Sequence, residues 1–457
     1  MKDHLHKVLN KANVEYGEIR LEKTKVRKIM FMGRELDSCI ENVDFGGNVR
    51  ILHKGSWGFT SFNSLDELEL KLERAKNHAR SIGKIRNESF GLAEVPVVDL
   101  TIPLEVKHNP TTVPIKKVLD ITGQYNQILL DFDQRLTNAG VFYQDRDRQT
   151  TFVNTEGTHL RREFVDLEFG IRVDVKNDKG TTYGLLRKGS SNDFSVIEGL
   201  KSEVISTAEK AIKKADAEVI SGGTYTVILN PELAGVFIHE AFGHLSEGDK
   251  VYEDPNLKKV MVFGREFGPK NLDIYDTGLE VGANGYLPFD DEGVATEKTY
   301  LMKEGKLCGR LHSRETASKM GEKPTGNARA LSYSFPPIPR MRTTMIGKGD
   351  VPLDEMIKET KNGIYCLGSR GGQTNGEMFT FTALDALMIR NGKMEEVVRD
   401  VTLTGNVFET LKNIDMIGND DKVCNGAGGC GKGEQVPLPV SFGSPHIRIQ
   451  DLTIGGK

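Results

Sequence analysis

Phe237-Ile-His239-Glu240-Ala-Phe-Gly243-His244-Leu245 places two histidines and a carboxylate inside an otherwise apolar run. Just upstream, Tyr225-Thr-Val-Ile-Leu229 reads as a buried strand. Asn230-Pro231-Glu232 reads as a helix start, with proline in the first turn where its missing N–H costs nothing. Leu233 to Leu245 is then an apolar helix. Zinc hydrolases carry two motif histidines four residues apart, separated by roughly 40° around the helix, so that both face one ion. Here the spacing is five, which on a regular helix is roughly 140° and cannot chelate a single metal. A local π-type turn would return both rings to one face, and such turns cluster at functional sites. The sequence therefore predicts a π-bulge or a helix end between Ala241 and His244, eased by Gly243. The competing reading is two core histidines flanking a helical carboxylate, yet a Glu among Val236, Phe237, Ile238 and Phe242 needs a partner to be buried cheaply.

Two histidines are too few for a catalytic zinc, which takes three protein ligands and leaves one position open. Among the remaining His, Cys, Asp and Glu, Cys430 stands out by its setting in Asn425-Gly-Ala-Gly-Gly-Cys430-Gly-Lys-Gly-Glu434-Gln435. Flanking glycines let the backbone approach an ion closely and leave the thiol uncovered.

The His-Glu-x-x-x-His helix followed by Glu247-Gly-Asp249, together with the late Cys-Gly-Lys-x-x-Gln segment, resembles the TldD/PmbA family of metalloproteases. Further matching stretches are Asp290-Asp-Glu-Gly293, Thr325-Gly-Asn327, Pro337-Ile-Pro-Arg-Met341 and Arg370-Gly-Gly372, and the likeness runs from about residue 225 to the end. In that family the TldD-type subunits bind zinc through both motif histidines and the late cysteine, whereas PmbA-type partners lack them. The resemblance thus implies a catalytic, TldD-type chain with His239, His244 and Cys430 as ligands of one Zn2+ and Glu240 as the base. It also implies cleavage of unfolded peptides or peptide precursors, and a cytoplasmic dimer, formed with itself or with a PmbA-type subunit, around an enclosed site. Such a zinc would polarise the scissile carbonyl and acidify the attacking water, with Glu240 moving the proton to the leaving amine. The thiolate would make it a somewhat weaker Lewis acid, and binding would weaken at low pH or on oxidation of Cys430.

Other residues carry two readings each. Glu247 and Asp249 are candidates to orient a ligand histidine, against simple loop solvation. Arg340 and Arg370 are candidates to hold a peptide carboxylate or carbonyl. His312 reads more naturally as a satisfied histidine than as a substrate contact. Gly426 to Gly433 satisfies the first seven positions of a phosphate-binding loop, but Gly433 replaces the Ser or Thr that would hold magnesium, and Gln435-Val-Pro-Leu-Pro439 cannot continue as a helix. A nucleotide site is set aside on those grounds. A non-catalytic peptide-binding subunit is the remaining alternative, and the intact metal residues argue against it.

Across the whole chain, 457 residues suffice for two or three domains. A net charge of −4, from 61 basic and 65 acidic residues, gives no general pull toward nucleic acid or membrane. Neither end reads as a targeting signal and no apolar run approaches a spanning length. The five cysteines read as free thiols. The expected fold class is α+β, with N-terminal α+β domains followed by a domain with a large, mainly antiparallel sheet that carries the metal helix. The expected units are 1–86, a linker or edge segment 87–110, a middle α+β domain 111–220 and the metallopeptidase domain 221–457. In the first two units an aromatic-Gly pair, Trp57-Gly58 and Tyr183-Gly184, precedes a helix, which suggests an internal duplication. The long polar run Glu247 to Gly293 reads as an active-site surface or lid.

Overall fold

The computed structural model describes residues 2–84, 90–426 and 429–456. The expected boundary near residues 86 and 87 and two of the glycine-run positions before Cys430 lie outside the described residues. Helix α1 (Lys2–Asn10) leads into β1 (Tyr16–Met32), β2 (Glu35–His53), β3 (Ser56–Phe62) and α2 (Leu68–Gly83). After a short edge strand β4 (Asp99–Ile102) come α3 (Ile115–Phe132), β5 (Leu136–Asn154), β6 (His159–Asn177), β7 (Gly180–Ser190) and α4 (Lys201–Asp216). These strands form one sheet in the order β3-β2-β1-β5-β6-β4, with β7 also on β6. Strand β1 pairs antiparallel with β5 from Glu18 to Met32, so the first two units meet in a continuous seam.

The two halves repeat each other around that seam. An alanine Cβ at Gly58 of β3 would lie 1.8 Å from the Ala75 carbonyl oxygen of α2, and one at Gly184 of β7 would lie 2.8 Å from the Thr207 carbonyl oxygen of α4. Both aromatic-Gly pairs thus mark the place where a helix backbone lies directly on the last strand of its unit.

Four strands of this sheet, β1, β2, β5 and β6, are single strands of 17 to 19 residues. Their charged positions broke the apolar alternation, but in the fold many of those charges are buried. On β1, Ile19 and Leu21 face the helices, while Glu18, Arg20 and Glu22 are buried on the opposite face. That second face docks on the C-terminal part of the chain. Arg50 bridges Glu18 at 2.9 Å and Glu292 at 2.5 Å, and Arg162 reaches Asp291 at 2.6 Å.

The C-terminal part is built on two sheets. The larger one orders Gly363–Asn375, β9 (Gly223–Leu229), Ile447–Gly455, Thr402–Asn406, Met378–Arg390, Lys393–Arg399 and β8 (Glu218–Val219), with Ile414–Ile417 attached to Ile447–Gly455. It is mainly antiparallel, Gly363–Asn375 also pairing with Met378–Arg390, and is parallel only between Gly363–Asn375 and β9 and between Lys393–Arg399 and β8. The smaller sheet includes Ile274–Thr277, Thr343–Ile346, Ser441–Ser444 and Lys422–Cys424. Helix α5 (Pro231–Ile238) packs between strands of both sheets. The architecture is α+β, as the sequence predicted.

The run from Glu247 to Gly293, expected as an active-site surface or lid, is a structured segment whose start, Glu247 and Asp249, lies at the metal site. It holds two short helices, Gly248–Glu253 and Pro255–Val260, and the strand Ile274–Thr277. Some of its carboxylates are buried and partnered: Asp276 pairs with Arg342 at 2.8 Å, and Asp290 accepts from the N–H groups of Glu292 and Val294. Among the described residues no helix is long and apolar enough to cross a membrane.

Candidate metal centre

Asn230 caps α5, its side chain accepting from the Leu233 N–H at 3.0 Å, with Pro231 in the first turn. The helix runs regularly to Ile238, widens to a π turn over His239–Gly243 and closes with a 3-10 turn, His244–Ser246. The distortion expected from the five-residue spacing is therefore present. Gly243 serves it differently from expectation. Its φ is an ordinary helical −59°, but a Cβ there would sit 2.1 Å from the Met341 sulfur, so the glycine provides room rather than flexibility.

The π turn brings the His239 and His244 rings to a centroid distance of 5.4 Å. With the Cys430 sulfur, their donor atoms all lie within 4.8 Å of one another. Cys430 Sγ is 3.3 Å from His244 Nε2. His244 Nδ1 lies 3.2 Å from Glu247 Oε2, a carboxylate only 1% exposed. Lys432 Nζ ties that carboxylate, at 3.1 Å, to Asp249, at 2.7 Å. On the other ring, His239 Nδ1 has Thr344 Oγ1 at 3.5 Å, and Thr344 in turn approaches Asp276 at 3.3 Å.

Electrostatics follow from this enclosure. Burial raises the Cys430 thiol, but His239 and then His244 outweigh it and hold the group well below its ordinary range. Burial lowers His244, but Glu247 and Cys430 outweigh it and lift the imidazole to about 10. Glu247, despite its burial, is held at about 2 by His244 and Lys432. A thiolate and two imidazoles, one backed by a buried carboxylate, form a donor set of the kind that holds zinc.

Along α5 and its extension the half-exposed positions are Glu232, Val236 and Glu240, a four-residue stripe on one face. This stripe, with His239 and Cys430, lines a cavity of about 870 Å³. Glu240, whose Oε2 is 3.8 Å from His244 Nε2, lines the cavity beside the three donors.

Profiles of three PmbA/TldA metallopeptidase domains match in succession: domain 1 over residues 17–79, the central domain over 108–219 and the C-terminal domain over 222–456. The chain belongs to the PmbA/TldD metallopeptidase family. A metalloprotease of Synechocystis is 42% identical over 447 residues, covering 97% of this chain and 96% of the relative. A metalloprotease of Methanothermobacter thermautotrophicus is 32% identical, with 97% and 96% coverage. A zinc metalloprotease TldD homologue of Saccharolobus solfataricus is 26% identical, with 99% and 100% coverage. In fold, the chain resembles a Thermotoga maritima protein described as a putative modulator of a DNA gyrase (TM-score 0.81, 20% identity, 99% of both chains). It also resembles TldE from Thermococcus kodakarensis (TM-score 0.75, 16% identity, 99% of both chains). The protein is thus a metallopeptidase, an enzyme with a metal cofactor.

Not every residue singled out in this metallopeptidase sequence reaches the cavity. Arg340 is fully buried, and its guanidinium donates to the Cys430 carbonyl at 2.6 Å and the Gln435 carbonyl at 3.1 Å. It holds the cysteine segment and has no access to a peptide. Arg370 turns away from the site, donating to Thr182 at 3.0 Å and stacking on the Tyr183 ring at 4.6 Å, so it joins β7 to the C-terminal part. His312 is buried between Thr316 and Glu322, a satisfied histidine. Lys432 and Thr344 were missed. The first sits two residues beyond Cys430 and was legible there; Thr344 carries no signal, since its role depends on a strand that approaches His239 only in the fold.

Proposed function

We propose that His239, His244 and Cys430 bind one zinc ion and that this chain hydrolyses peptide bonds in unfolded peptides. The reading is carried by the convergence of these three donors, two of them buried, beside a carboxylate that faces a large cavity. A bound zinc supplies a Lewis acid that polarises the scissile carbonyl and acidifies water near neutral pH. Glu240 accepts the proton of the attacking water at its carboxylate and returns it to the leaving amine. Glu247 accepts from His244 Nδ1, fixing the tautomer that leaves Nε2 free to ligate. Lys432 holds Glu247 and Asp249 in place. Arg340 fixes the backbone of Cys430.

Residues 221–457 act as the catalytic domain in this scheme, while 111–220, whose β7 supplies one wall of the cavity, helps to enclose it. Likeness in fold to TldE supports pairing with a chain of that type, or with a second copy. Such enclosure would admit flexible chains and exclude folded proteins. Elemental analysis tests the site first. About one zinc per chain is expected in the native protein, much less in Cys430→Ala, and peptide hydrolysis should vanish in Glu240→Ala with zinc retained. A folded, zinc-supplied protein that holds no metal would overturn the reading.

A further inference from the structure

We propose that Arg187, assisted by Lys422, anchors a carboxylate of the peptide substrate at the end of the cavity away from the metal. This deepens the peptidase reading above and rests on it. Arg187 lies on β7 and lines the cavity near Glu232, in the first turn of the metal helix. It is half-buried, and its one hydrogen bond among the described residues is from Nη1 to the Ser369 carbonyl at 3.2 Å. No carboxylate lies within ion-pair distance of it among the described residues. The glycine at 426 passes directly over this side chain, since a Cβ there would sit 3.7 Å from the Arg187 Cβ and 3.8 Å from its Cδ. The cation is therefore stemmed by packing while its remaining donors are unspent.

The other charges of the cavity sharpen the assignment. Lys188 pairs with Glu203 at 2.6 Å, and Glu198 pairs with Lys117 at 2.6 Å. Among the described residues Arg187, Lys422 and Lys210 have no such ion pair, and Glu232 is the nearby carboxylate that interacts with the first two. Arg187 donates to the Ser369 carbonyl, and a Cβ at the preceding Gly368 would sit 3.7 Å from Glu232 Oε2, so the same short segment borders both side chains. A single carboxylate does not neutralise two cations, and a guanidinium with free donors recognises carboxylates in a forked geometry. Glu232 precedes Glu240 by eight residues, roughly 12 Å along a helix, which an extended peptide spans with about three to four residues. The anchored group is thus an acidic side chain or a terminal carboxylate at that remove from the bond that is cut.

Matched unstructured peptides separate the two sources: one pair differs only in Glu against Gln, the other only in a free against an amidated C-terminus. With the zinc-loaded full chain, kcat/KM should favour the acidic or the free-ended member by about tenfold or more. The ratio should fall to near one in Arg187→Met and be partly kept in Arg187→Lys. A merely structural role would lower both members together and leave the ratio intact, which would overturn the proposal. A preference for basic peptides, or equal cleavage of each pair by the unsubstituted chain, would overturn it as well. Binding of the same labelled peptides to Glu240→Gln, read by fluorescence anisotropy, keeps the two readings apart. If no peptide is cut but the acidic one binds about tenfold tighter and loses that margin in Glu240→Gln/Arg187→Met, the anchor stands and the peptidase reading falls. Equal binding of both members would remove the anchor whatever the cleavage result.

Discussion

Glu247 is the residue on which the proposed metal site most depends without touching the ion. It is buried, it accepts from His244 and it is neutralised by Lys432. Glu247→Gln is expected to lower zinc affinity about 10- to 100-fold, measured by competition with a chromogenic chelator. In the metal-free protein the same residue links stability to pH. Glu247 falls from the usual 4.5 to about 2, so its contribution is present above pH 4.5 and is lost as pH falls toward 2. The contribution of His244, raised from 6.5 to about 10, is complete below pH 6.5 and fades as pH rises through about 10. Melting temperatures of the metal-free chain should therefore decline below pH 4.5, and Glu247→Gln should flatten that limb. A further consequence concerns binding at neutral pH, where the imidazolium of His244 must give up its proton to ligate. Calorimetry in buffers of different ionisation heat should register release of about one proton per zinc.

At the scale of the element, the π turn and the two helix–strand contacts are steric arrangements that single methyl groups would disturb. Gly243→Ala pushes a Cβ into the Met341 sulfur and is expected to cost about 1–3 kcal/mol, with loss of metal as His244 shifts. Adding Met341→Ala to it should restore part of the metal content. Gly58→Ala meets a helix carbonyl at 1.8 Å, whereas Gly184→Ala meets its nearest atom at 2.8 Å. Urea denaturation should rank Gly58→Ala as the more damaging of the two. The helix start at Asn230-Pro231 and the five-residue histidine spacing made the metal helix and its distortion legible, because capping and periodicity are local. Helix α2 was less legible: Ser64-Leu-Asp-Glu67 has capping-box spacing, but the helix begins only at Leu68 and no side chain caps it. There Ser64 accepts from the Asp66 N–H instead, forming a local turn that competes with the helix.

Across the whole molecule, the N-terminal sheet is joined to the C-terminal part through buried ion pairs rather than an apolar face. Arg50 stands at the centre, bridging Glu18 and Glu292 and lying over the Trp57 ring at 3.9 Å. Arg50→Met would leave two buried carboxylates without their cation and should cost about 3–5 kcal/mol in chemical denaturation, whereas Arg161→Met, at an exposed pair, should change little. The sequence by itself determined the α+β class, the helix that carries His239, Glu240 and His244, and the singular setting of Cys430, because each depends on residue type and spacing within a short window. Only the tertiary structure decided that strands interrupted by charges run unbroken, since Glu18, Arg20 and Glu22 find partners from residues far along the chain. The same holds for the arginines: Arg340 is spent on the Cys430 backbone and Arg370 on Tyr183, while Arg187, which no motif singled out, faces the cavity. A charged side chain's role is set by what it meets, and across such sequence distances only the fold specifies that.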